Sequence, residues 1–166
     1  RGNVSTSRGD PVHYGLADFN GDGQVELYCK DMILNAHTGA IIVNSTTDWR
    51  YLNGGPVAVD ILGDLDLELV IGCIIYKVDL VAGVLTELMR APDYQIRTTP
   101  NVLYRHATSV ADYNQDGFLD VIASGSFQTT DNTTAFFWDV KNNVLKTFND
   151  FIAGNVTIAG CNGTSD

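Results

Sequence analysis

The chain has 166 residues, of which 45% are apolar and 18% charged, a globular composition with enough length to bury a core. Its 20 acidic side chains outnumber the 10 basic ones, for a net charge of −10, which argues against a nucleic-acid partner, since that would call for a basic face. No apolar run reaches the roughly 18 residues of a membrane-spanning helix, so membrane insertion is not expected.

In chain order, the sequence opens at Arg1 with neither Met nor a signal peptide and reads as a mature product or an excised piece of a longer one. Arg8-Gly9-Asp10 spells a short adhesion tripeptide, but an Asp before Pro11 has an ordinary turn role. The first informative stretch is Gly15-Leu16-Ala17-Asp18-Phe19-Asn20-Gly21-Asp22-Gly23-Gln24-Val25-Glu26-Leu27. A related stretch runs from Val57 to Leu69, with Asp60, Asp64, Asp66 and Glu68. Ser109 to Val121 repeats the first closely, and Thr157 to Thr164 is an eroded fourth start. These loops begin at residues 18, 60, 112 and 160, spacings of 42, 52 and 48 that match propeller blades.

The similarity continues beyond the loops. Each is followed by a β-rich run: Val25 to Cys29, Leu67 to Ile75, and Leu119 to Ala123. A further apolar run then enters a turn, Asn35 to Gly39, Asp79 to Gly83, or Asp139 to Asn143. The last residue of each turn, Gly or Asn, is of a type that readily takes a left-handed backbone. Short apolar strands follow at 40–43, 84–85 and 144–145. Each unit therefore reads strand, loop, strand, strand, turn, strand, which is a four-stranded antiparallel propeller blade. The expected fold is all-β, with blades at about 13–44, 56–88 and 106–148 and the start of another at about 155–166. The Ser/Thr/Asn-rich stretch Gly125 to Thr134 is expected to be an insertion, and Met89 to Arg105 a linker.

In the first loop, Asp18, Asn20, Asp22 and Glu26 recur so that alternate side chains of a tight turn converge on one point. With the Gln24 carbonyl they form an all-oxygen set suited to Ca2+. Asp112, Asn114, Asp116 and Asp120, with the Phe118 carbonyl, repeat it. Two Ca2+ sites are expected on this basis. The second loop has Leu62 for the amide and Leu65 for a glycine, so Asp60, Asp64, Asp66 and Glu68 are expected to form a weak or lost site. The fourth loop, with Gly160 and Thr164 at acidic positions, is expected to bind no metal. An EF-hand is excluded: its twelfth position would be Cys29 or Ala123, and both flanks read as strands.

The segments Asp18 to Glu26 and Asp112 to Asp120 resemble the FG-GAP / VCBS repeat family, the calcium-loop blades also found in integrin α-chains. The resemblance runs from about His13 to Phe148. It implies a ring of roughly seven or eight blades in the parent protein, usually secreted or surface-attached, and it implies no single ligand or reaction.

Five N-x-S/T sequons, at Asn3, Asn44, Asn132, Asn155 and Asn162, fit a glycosylated extracellular chain. Cys29, Cys73 and Cys161 have no metal-ligand spacing. Cys29 and Cys73 are expected as buried thiols in equivalent strands, whereas Cys161 is the better candidate for a link to another chain. His13, His37 and His106 lie far apart and suggest no zinc site. Trp49 and Trp138 could stack on sugars, though Trp138 is better read as packing between blades.

Three blades and part of a fourth leave sheet edges open. The expected partners are neighbouring blades of a longer chain or other copies of this one, with glycans or surface proteins beyond them. The first functional reading is an extracellular structural or adhesive glycoprotein segment, stiffened by Ca2+ and able to form a filament. The alternative is a carbohydrate- or protein-binding module of a larger secreted protein. No acid/base pair or nucleophile arrangement supports an enzyme.

Overall fold

A computed structural model describes residues 13–29, 32–44, 55–92, 107–126 and 133–148. Within them the chain is all β, with no helix, in three four-stranded antiparallel sheets. The first sheet holds β1 (Tyr14–Ala17), β2 (Glu26–Cys29), β3 (Met32–Asn35) and β4 (Ile41–Asn44) in that order. The second holds β5 (Val57–Val59), β6 (Glu68–Ile71), β7 (Ile74–Asp79) and β8 (Val84–Arg90). The third holds β9 (Ala107–Ala111), β10 (Asp120–Ser126), β11 (Thr133–Asp139) and β12 (Val144–Phe148). Every strand pairs with its sequence neighbour, so each sheet is a meander.

The turns between the third and fourth strands share one chemistry. An Asx residue opens each: Asn35 Oδ1 accepts from Thr38 N at 2.8 Å, Asp79 Oδ1 from Ala82 N at 2.8 Å, and Asp139 Oδ1 from Asn142 N at 2.9 Å. A left-handed residue closes each, Gly39 at φ 70°, Gly83 at 69° and Asn143 at 53°. The side chain satisfies an N–H that the reversing chain would otherwise leave unpaired.

Several strand limits differ from the sequence expectation. The apolar run from Leu67 to Ile75 is two strands, because Gly72, at φ 57°, begins a two-residue turn that pairs Ile71 with Ile74. Cys73 therefore sits in that turn and not in a strand equivalent to that of Cys29. Strand β8 continues to Arg90, opposite Ile74, so Met89 and Arg90 belong to a strand and not to the linker. Gly125 and Ser126 pair with Thr134 and Thr133, which shortens the expected insertion from both ends.

One apolar cluster joins the three sheets. Tyr28, Ile33 and Val43 come from the first, Leu69, Val70, Ile71, Ile74 and Ile75 from the second, and Val121, Phe136 and Trp138 from the third. All four residues of β6 are buried although successive side chains point to opposite faces, so the second sheet is covered on both sides. The first strands run beside one another, β1 against β5 and β5 against β9. Two polar contacts stitch the sheets together: Tyr28 Oη accepts from Ala58 N at 3.3 Å, and Thr108 Oγ1 accepts from Gly72 N at 2.8 Å. Gly15 makes the first possible, since a Cβ there would lie 2.0 Å from the Tyr28 ring. Trp138 is fully buried in the cluster, and its Nε1 donates to Asn143 Oδ1 at 3.1 Å.

Candidate metal loops

The loop between the first and second strands of every sheet is held by a shared frame of hydrogen bonds. The first-position aspartate is the hub. Asp18 accepts from Asp22 N at 3.1 Å and Gly23 N at 2.8 Å. Asp112 accepts from Asp116 N at 3.0 Å and Gly117 N at 2.9 Å. Asp60 accepts from Gly63 N, Asp64 N and Leu65 N at 2.7, 3.0 and 3.0 Å. The fifth-position carboxylate accepts from the seventh N–H: Gln24 N to Asp22 at 2.8 Å, Asp66 N to Asp64 at 3.1 Å, and Phe118 N to Asp116 at 3.0 Å. At the third position Asn20 and Asn114 each accept from the fifth N–H, a contact that Leu62 lacks.

This frame forces two left-handed residues into each loop. The fourth positions are Gly21, Gly63 and Gln115, at φ 69°, 74° and 60°. The sixth positions are Gly23 and Gly117, both at 85°, and Leu65, at 78°. A leucine in that conformation is strained, and its side chain is 91% exposed, so no packing offsets the strain.

The ninth-position carboxylates sit at the start of the second strand and are buried: Glu26, Glu68 and Asp120 are 3%, 3% and 1% exposed. Each turns one oxygen back into its loop. Phe19 N donates to Glu26 at 3.0 Å, Ile61 N to Glu68 at 3.1 Å, and Tyr113 N and Asn114 N to Asp120 Oδ2 at 3.1 and 3.3 Å. Asp120 Oδ1 is buried with no hydrogen-bond partner. An ionised carboxylate in that state is costly unless a cation or a proton offsets it. Accordingly burial pushes the Asp120 carboxyl above its ordinary range, against the Asn114 and Tyr113 N–H groups, which pull it down. Glu68 is also raised, first by burial and then by the nearby Asp64 and Asp60, while the Ile61 and Leu62 N–H groups oppose the shift.

The oxygen-only donor set fits a hard cation such as Ca2+ and suits no soft metal. The carboxylates, however, are gathered most closely where the sequence predicts the weak site. One oxygen each of Asp60, Asp64 and Glu68 lie within 4.8 Å of one another, the only such trio of His, Cys, Asp or Glu among the described residues. The loops also differ in what engages the fifth-position carboxylate. Asp22 Oδ2 is engaged by Asn20 Nδ2 at 2.9 Å, and Asp116 Oδ2 by Lys141 Nζ at 3.5 Å. Leu62 offers Asp64 no such donor. Asp66 is exposed and supplies its N–H to the frame.

Two features of this site have a sequence signal that is visible when the units are aligned, one through their turns and one through their loops. His37, Val81 and Lys141 hold the same turn position, and Lys141 is the residue that reaches a loop carboxylate. Leu65 aligns with Gly23 and Gly117, which marks it as left-handed. Asn44 is exposed at the end of β4. The other sequons (Asn3, Asn132, Asn155, Asn162), the fourth loop, Trp49, His106, Cys161 and the Arg8-Gly9-Asp10 tripeptide lie outside the described residues. Cys29 and Cys73 are buried, and burial drives the Cys73 thiol far above its usual range.

No helix among the described residues is long and apolar enough to cross a membrane. No family model matches the chain. No curated protein matches it either. Among solved structures, the chain is similar to the V. cholerae biofilm matrix protein Bap1, with a TM-score of 0.60 and 20% identity. The match covers 87% of this chain and 21% of that one, so the chain spans about a fifth of the length of Bap1 and the likeness is one of fold.

Proposed function

We propose that the chain is an extracellular structural or adhesive segment in which consecutive propeller blades are stiffened by Ca2+ held in their interstrand loops. The observation that carries the metal reading is the buried, unpartnered Asp120 Oδ1, set against a loop whose frame recurs in all three sheets. In this reading Asp112, Asn114, Asp116 and Asp120 hold one cation and Asp18, Asn20, Asp22 and Glu26 another. Asp60, Asp64 and Glu68 supply a third with fewer ligands. Each cation would tie the loop to the start of the following strand, at the place where the first strands of adjacent sheets run side by side.

The blade arrangement is supported by the side-by-side first strands and by the shared core. An extracellular role is supported by likeness of fold to a biofilm matrix protein. The outward face of the first sheet carries exposed Leu16 and Ile41. That face suits a preceding blade or, head to tail, a second copy, the kind of contact that builds a filament. A second reading, a carbohydrate-binding module, is favoured by Tyr113 and Phe118, which are 62% and 49% exposed on the third loop.

Calcium titration followed by thermal unfolding tests the first reading. The midpoint should rise by several degrees between chelator and about 1 mM Ca2+, and the rise should shrink in Asp112→Ala. Identical melting curves in chelator and calcium would sink it. Retention of the Tyr113→Ala variant on a polysaccharide matrix as strong as that of the parent chain would remove the second reading.

A further inference from the structure

The three loops differ in what stands beside them. In the turn that follows the third strand, the third residue is His37 in the first sheet, Val81 in the second and Lys141 in the third. That position borders the loop: His37 lines an open cleft with Gly23 and Gln24 of the first loop. In the third sheet the lysine bridges the gap. Its Nζ lies 3.5 Å from Asp116 Oδ2 and 4.0 Å from the centre of the Phe118 ring. Phe118 is the seventh residue of the loop, where the others have Gln24 and Asp66. The ring seats the ammonium by a cation–π contact, so the charge is held at the loop mouth and not merely swung there on a flexible stem.

We propose that Lys141 is a built-in competitor for the cation of the third loop, weakening Ca2+ there and setting that loop to fill at a higher calcium concentration than the first. The inference rests on the calcium reading above. Its physical basis is simple. The amine occupies one of the two oxygens of a ligand carboxylate and places a fixed positive charge within a few ångström of an incoming divalent ion. Charge repulsion at that range opposes binding even in a water-screened site. Among the described residues no cation pairs with the first loop's acids, and Asp22 Oδ2 is engaged by the neutral Asn20 amide. A graded pair of sites would let the segment stiffen in two steps as calcium rises. The device is electrostatic and local, so it should act without altering the fold.

Site-resolved NMR on the full chain reads both loops at once, because Gly23 N and Gly117 N donate to the hub carboxylates Asp18 and Asp112. During a Ca2+ titration the Gly23 amide should shift at lower calcium than the Gly117 amide. In Lys141→Met the Gly117 midpoint should fall about three- to tenfold, as expected for removing one partly exposed like charge. The Gly23 midpoint should stay fixed, and Lys141→Arg should keep the parent value. The variant should fold, since Val81 is fully exposed at the equivalent position. The effect of Lys141→Met should also shrink in about 1 M salt. An unchanged Gly117 midpoint would overturn the proposal while leaving the calcium reading standing, provided Gly23 still responds. A weaker midpoint in Lys141→Met would overturn it in favour of a positioning role for the amine on Asp116. If neither glycine responds at millimolar calcium, the calcium reading fails and the competitor with it.

Discussion

The second loop and the third are built on one frame from different residues. The third has Asn114 and Gly117 where the second has Leu62 and Leu65, yet the hub aspartate, the left-handed fourth and sixth residues and the buried ninth carboxylate recur in both. The frame therefore depends on the first, fifth and ninth acids, which accept backbone N–H groups, and tolerates loss of the amide and of a glycine. The two loops differ in electrostatics. In the third, Lys141 draws off one oxygen of Asp116 and Asp120 keeps an oxygen unpaired. In the second, three carboxylates are gathered, and Val81 stands at the turn position that Lys141 holds in the third. Identity with a ligand consensus and closeness of the ligands are thus separate properties, and the loop with fewer consensus residues has the tighter acidic cluster.

The largest effect that would sharpen this comparison belongs to the ninth position. Asp120→Ala leaves the Tyr113 and Asn114 N–H groups without their acceptor and should cost about 2–3 kcal/mol, read as a shift in urea midpoint. Asp120→Asn keeps an acceptor and discharges the unpaired oxygen. It should be nearly neutral in chelator and should abolish the calcium response of the third loop alone. Were Asp120→Asn as damaging as Asp120→Ala in chelator, the buried charge would be satisfied by something other than a cation or a proton.

A smaller effect isolates the strain. Leu65→Gly should stabilise the calcium-free protein by about 1 kcal/mol, since an exposed leucine contributes no packing and glycine takes φ 78° freely. The reciprocal change, Gly117→Leu, should destabilise by about as much. The second loop would then approach the third in backbone ease while keeping its own acids. If Leu65→Gly proved destabilising, entropy gained by the unfolded chain would outweigh relief of the turn.

Much of this was legible in the residues. The repeat spacing, the alternation of loop and strand, and the closing Gly39, Gly83 and Asn143 of the turns mark four-stranded units, because turn chemistry is local and written in the residues that perform it. The limits of strands were less so. Val70 to Ile75 is apolar throughout because β6 and β7 are buried, and a run without alternation hides the hairpin at Gly72. The gathering of Asp60, Asp64 and Glu68 was hidden for another reason. A ligand pattern counts donors and carries no measure of how closely a loop gathers them, and the residue that engages Asp116 lies 25 positions away at Lys141.

The smallest effect compares the turns and depends on pH. Asp139 and Asn35 open equivalent turns with the same backbone contact, but only Asp139 can titrate. Its carboxyl is held below the usual range, first by the Asn142 side chain and then by the Asn142 N–H, with smaller help from Lys141 and Lys146 and a small opposing cost of burial. Asp120 faces it as a like charge. A folded-state value below the unfolded one means that the ionised form adds stability, present above about pH 4 and lost as pH falls through the lower folded-state value. The group is largely in water, so screening keeps the contribution small. Asp139→Ala should therefore lower the urea midpoint slightly at pH 6, and the gap to the parent chain should close as the pH falls through the lowered folded-state value. Asn35→Ala should lower the midpoint by an amount independent of pH over that range. A gap for Asp139→Ala that held constant into acid would show that the turn depends on hydrogen-bond geometry alone and that the charge on Asp139 contributes nothing.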